Sequence, residues 1–154
     1  MYSYLLLAHS WVRWAVVLTV LLTLAASLSG WVGRRPYTRT DTTLRSLSTS
    51  FVHLQLILGF ILYFKSPITT YFRENARAAL ANSDITFFGL IHFLLMFVAV
   101  VVFTIGSSMG KRAKTDALKH QTVALYFLVG TLLIFVAIPW PFSPLAQRPL
   151  FRPF

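Results

Sequence analysis

The stretch SYLLLAHSWVRWAVVLTVLLTLAASLSG, residues 3–30, decides how the chain is to be read. It is apolar over almost its whole length. As a helix rising about 1.5 Å per residue, it is long enough to cross a hydrocarbon core of roughly 30 Å. Two residues break the pattern, His9 and, one helical turn later, Arg13. An ionisable side chain inside a bilayer costs about 3 kcal/mol on insertion scales, so such residues are expected to be paired and to serve a function.

Three further segments, near 46–64, 86–108 and 118–138, have the same character. The second is diluted at its start, SLSTSFVHLQ, before LILGFILYF restores the apolar run. The 154 residues are 56% hydrophobic and only 12% charged, with a mean hydropathy of +0.69, far from soluble composition. The expected fold class is all-α: a four-helix up-down-up-down transmembrane bundle over residues 1–140, with a proline-rich tail at 141–154.

The net charge of +10 is placed as topology charge and not as a nucleic-acid surface. Arg34, Arg35, Arg39 and Arg45 lie between the first two segments, and Lys111, Arg112, Lys114 and Lys119 between the last two. The other side carries Lys65, Arg73, Arg77, Arg148 and Arg152, partly offset by Glu74 and Asp84. By the positive-inside rule the two basic loops face the cytoplasm and both termini the outer face, which for a bacterial inner membrane is the periplasm. No Lys or Arg precedes Arg13, so the first segment is expected to be a retained helix and not a cleaved signal. Pro67 is expected to end the second helix. YFRENARAALAN (71–82) then suits a short surface helix with Tyr71 and Phe72 toward lipid. The tail, IPWPFSPLAQRPLFRPF, holds five of the seven prolines and cannot continue a helix.

Each expected helix carries one histidine: His9, His53, His92 and His120. Helical rise converts sequence offset into depth. His9 and His92 both fall roughly 9 Å inside the outer face, and His53 and His120 within about 3–12 Å of the cytoplasmic helix ends. In such a bundle helices one and three share one diagonal, and two and four the other. Two histidines level across a diagonal are what a flat macrocycle ligated from both sides requires, and the sequence offers this twice. The expectation is two bis-histidine b-type haems, His9 with His92 and His53 with His120.

Ring edges need small residues opposite. Gly59 and Gly130 stand at the outer level, and Ala25, Ala26 and Gly106 at the inner. Arg13, at i+4 from His9, shares its helix face and is the expected partner of an outer haem propionate. Arg45 and Lys119 are the inner counterparts. The chain has no cysteine, which excludes iron–sulfur clusters, thiolate zinc sites and covalent c-type haem. Imidazole also suits copper and zinc, but isolated pairs without thiolate or carboxylate make thin sites for either. The carboxylates Asp41, Glu74, Asp84 and Asp116 fall in loops or at helix ends, which argues against a buried proton relay.

One histidine per helix, in two stacked diagonal pairs, resembles the plan of small diheme b-type cytochromes typified by cytochrome b561-like proteins. LLLAHSWVRW with IPWPFSPLA looks like small bacterial membrane proteins called cytochrome b. The chain differs from the bc-type b subunit, in which two histidines share each of two helices. The resemblance implies electron transfer across the membrane between a quinone pool and a partner or small oxidant. The expected partners are lipid, quinone or quinol, and other respiratory membrane subunits or a second copy of the chain. The alternative function is a non-catalytic helical accessory subunit of a larger respiratory complex, with or without haem.

Overall fold

The computed structural model describes residues 1–151; Arg152 and the last two residues of the tail lie outside the described residues. The elements in chain order are α1 (Tyr2–Val32), α2 (Arg39–Lys65), α3 (Pro67–Glu74), α4 (Ala76–Ala79), α5 (Ser83–Thr86), a π-helical turn (Phe87–Ile91), α6 (His92–Arg112) and α7 (Asp116–Ala137). Tyr2–Val32, Arg39–Lys65, Ser83–Arg112 and Asp116–Ala137 are each long and apolar enough to cross a membrane. In that environment helices are favoured because they satisfy their own backbone polar groups.

α2 begins seven residues before the expected start, and its first turns are polar for a local reason. Thr38 and Asp41 form a capping box, with the Asp41 carboxylate accepting from the Thr38 N–H at 2.8 Å. The buried Asp41 also takes a two-pronged ion pair from Arg35, at 2.6 and 2.7 Å. Arg35 in turn donates to the Ala26 carbonyl of α1 at 3.0 Å. The turn out of α1 passes through Arg34 with φ 50°, a left-handed conformation that non-glycine residues seldom adopt. One carboxylate thus stitches the end of α1 to the start of α2.

The four long helices form a ring. α1 packs on α2 and α7, and α6 packs on α2 and most closely on α7. α1 therefore faces α6 across the centre, and α2 faces α7. The α6–α7 seam is tight because Gly106 and Gly110, four residues apart, admit the neighbouring helix: a Cβ at Gly106 would overlap Tyr126, and one at Gly110 would meet Val123. Small residues at this spacing let helix backbones approach in lipid, where van der Waals packing drives association. At the centre Phe103 and Phe127 meet edge to face, with centroids 5.0 Å apart, among Val20, Leu24, Ala99 and Val123.

Polar groups inside the bundle are matched between helices. The Thr23 and Ser48 hydroxyls lie 2.7 Å apart between α1 and α2. The buried Arg45 guanidinium donates to the Ser107 Oγ and carbonyl at 2.7 and 3.0 Å, joining α2 to α6.

Pro67 does end α2 and opens α3 at its first position, where its missing N–H costs nothing. The surface reading of the following segment needs one correction. Tyr71 is exposed, but Phe72 turns inward and fills the space over Gly89, where a Cβ would overlap its ring. The glycine lies in the π-helical turn, and its carbonyl accepts from the Tyr63 hydroxyl at 3.0 Å.

Adding one methyl at Gly106 should force α6 and α7 apart. Gly106→Ala is expected to destabilise the bundle by about 1–3 kcal/mol, the usual cost of overpacking, read as a lower thermal midpoint in detergent or nanodiscs.

Candidate functional site

The diagonal between α1 and α6 holds a cavity of about 200 Å³, whose polar lining includes His9, Arg13, Gln55, Gly59, His92 and Arg148. His9 and His92 face one another there with ring centroids 6.4 Å apart and planes at 68°. Of the four histidines, these two are brought together.

The position of His92 follows from the end of α7. The last carbonyls of a helix lack intrahelical donors, and Pro139 and Pro141 supply no N–H four residues beyond Phe135 and Ala137. Side chains take their place. The Trp140 indole donates to the Phe135 carbonyl at 2.8 Å, and His92 Nδ1 lies 2.8 Å from the Ala137 carbonyl. A carbonyl only accepts, so His92 carries its proton on Nδ1 and presents a bare Nε2. Metal-binding histidines are commonly oriented by such a bond. The IPWPF sequence thereby acquires a mechanical role: it ends α7 so that one carbonyl is left for the imidazole.

His9 sits opposite with Nδ1 buried and, among the described residues, without a hydrogen-bond partner. Its ring packs over Gly59 on α2, where a Cβ would stand 3.3 Å from His9 Cε1. Gln55 donates to the His9 carbonyl at 3.0 Å and keeps a buried, unpartnered Oε1. Phe87 and Phe88 pack against His92 at 5.7 and 6.1 Å.

The tail folds over the end of the cavity nearest the start of α1. Arg13 Nη2 and the Trp14 indole both donate to the Leu150 carbonyl, at 2.5 and 3.3 Å. Phe151 lies against Trp11 and Trp14 at 5.8 and 5.4 Å, so the two tryptophans hold the tail. The tail also brings Arg148 to the cavity, a residue that sequence reasoning left as topology charge. Its guanidinium pairs with Asp84 at 2.9 Å and covers the Phe88 ring. Two guanidinium groups therefore stand at the cavity with His9 and His92. No feature of the local sequence around Arg148 marks this role, because it depends on the tail folding back.

The other expected site residues are distributed differently. His53 is exposed, with Nε2 2.9 Å from Thr104 Oγ1. Because α2 starts at Arg39, His53 lies about 21 Å along that helix. His120, four residues into α7, lies about 6 Å from its start. His120 is fully buried, its ring 4.8 Å from that of Tyr37 and packed over Gly30, and neither of its nitrogens has a hydrogen-bond partner among the described residues. Among the described residues no ring contact joins His53 and His120.

Arg45 is tied to Ser107, while Lys119 pairs with Asp116 at 3.0 Å and covers the Tyr37 ring. Burial holds the Tyr37 phenol above its ordinary pKa, against the opposing pull of Arg45. Gly130 receives the Phe103 ring and Gly106 the Tyr126 side chain. Among the described residues no cluster of three or more His, Cys, Asp or Glu could hold a metal ion.

Comparison of the chain with family models, with curated proteins and with solved structures returns no match.

The two contacts that shape the cavity's end should differ in weight. Trp140→Phe removes a hydrogen bond to a helix-end carbonyl and is expected to cost about 1 kcal/mol. Arg148→Gln breaks a partly exposed ion pair and should cost less than about 1 kcal/mol. Thermal midpoints of the two variants check the order.

Proposed function

We propose that this protein is a b-type cytochrome that passes electrons between a quinone pool and a partner or small oxidant, with a haem that His9 and His92 would hold. One observation carries the reading: two imidazoles face each other across a diagonal, and the one on α6 has its Nδ1 engaged and its Nε2 bare. With metal–nitrogen bonds of about 2 Å, two imidazoles sharing one ion have centroids roughly 6 Å apart, close to the 6.4 Å found.

The surroundings fit the group as well. The buried His9 Nδ1, without a hydrogen-bond partner among the described residues, supports this reading. Arg13 and Arg148 would hold the propionates by charge-assisted hydrogen bonds. Haem held there by His9 and His92 would supply one-electron exchange.

The protein's own part is positional. The Ala137 carbonyl fixes the His92 ring, Gly59 admits the His9 ring against α2, the apolar walls exclude water, and the tail closes the end of the cavity. This reading takes the bundle as up-down-up-down with both termini outside, as the basic loops suggest, and it keeps the likeness in plan to small diheme cytochromes. A second haem would need His53 and His120 to come together from where they now stand.

A redox-difference spectrum with haem quantified per chain tests the proposal. His9→Ala and His92→Ala should each abolish the same b-type signal, while His53→Ala and His120→Ala retain it. Colourless protein without extractable haem, prepared from haem-replete cells, would overturn the reading.

A further inference from the structure

His53 is exposed on a helix long enough to span a membrane, about 21 Å from one end and 18 Å from the other. An imidazole at that depth meets hydrocarbon, where polar groups are costly and usually functional. Its one hydrogen-bond partner among the described residues defines its protonation. The Thr104 hydroxyl donates to the Val100 carbonyl at 2.7 Å, a bond within its own helix. With its single hydrogen used there, Thr104 Oγ1 accepts from His53 Nε2 at 2.9 Å. The His53 proton is thus on Nε2, and Nδ1 is left as an acceptor on the lipid-facing side of the α2–α6 seam.

We propose that His53, held in this tautomer by Thr104, is a binding site open to the bilayer for the hydroxyl of a hydroquinone. The bare Nδ1 calls for a hydrogen-bond donor, and its depth selects the kind. A phospholipid headgroup is charged and stays at the interface, whereas a hydroquinone is neutral, planar, soluble in hydrocarbon and carries O–H donors. The exposed Leu54, Ile57, Val101 and Ile105 give the site an apolar rim. Its inner side adjoins the proposed haem cavity, since Val52, next to His53, and Val100, which anchors Thr104, both line that cavity. The class of ligand rests on the electron-transfer reading above; the acceptor geometry does not.

The test uses the full chain in phosphatidylcholine nanodiscs, labelled with ¹⁵N-histidine and titrated with a benzohydroquinone bearing a saturated alkyl tail. The His53 Nδ1 resonance should shift with the hydroquinone and stay put with the corresponding quinone, which has no O–H to donate. Thr104→Val should weaken binding about five-fold, the net worth of one hydrogen bond, and Thr104→Ser should restore it. His53→Leu should abolish binding without changing haem content.

Undiminished binding in both His53→Leu and Thr104→Val overturns the proposal, as does loss of haem in His53→Leu. Efficient disulfide linkage of two copies through Ile57→Cys, in a chain otherwise free of cysteine, would show that a second chain covers this face and also overturns it. Haem without hydroquinone binding overturns this site alone. Hydroquinone binding by a haem-free chain overturns the cytochrome reading and leaves the acceptor site standing.

Discussion

A polar group inside a hydrocarbon core has no water to turn to, and that constraint organises this molecule. It makes the backbone helical and draws many inward polar side chains together. Thr23 meets Ser48, Arg45 meets Ser107, and Gln55 reaches the His9 backbone. These contacts set how the helices are turned and staggered. His9 and His92 face each other as a consequence of the same arrangement.

The end of α7 shows how a sequence without regular structure can create a site. Prolines at 139 and 141 deny hydrogen-bond donors to two carbonyls, and the molecule supplies an indole and an imidazole instead. The bond that completes the helix also selects the His92 tautomer. The tail beyond it is held by Arg13, Trp14 and Trp11, so the segment that ends the helix also encloses the cavity. The same few contacts end the helix and orient the imidazole.

Much of the architecture was legible in advance. Four apolar segments become four long helices, Pro67 ends the second, and the diagonal partners are those that a four-helix ring implies. The level of His9 with His92 follows from offsets near helix starts that local signals locate well. His53 was harder to place because α2 opens with polar turns, which hydropathy reads as loop. The Thr38–Asp41 capping box and the Arg35 ion pair show why those turns are helical. Seven extra residues put His53 about 10 Å further from the start of its helix. An amphipathic surface helix would turn Phe72 with Tyr71 toward lipid, but the space above Gly89 draws it inward.

The sequence by itself determined that this chain is helical and membrane-spanning, where its apolar segments lie, and that each carries one histidine. These are properties of length and local composition, which one strand of chain reports without its neighbours. Tertiary structure decided which histidines meet, that Arg148 joins the cavity, that Gly59 gives space to a ring while Gly130 and Gly106 give it to packing side chains, and which nitrogen of His92 is bare. Those outcomes depend on helix rotation and stagger and on a tail folding back from far along the chain. They follow from packing and hydrogen bonding between distant segments, to which no local pattern is sensitive.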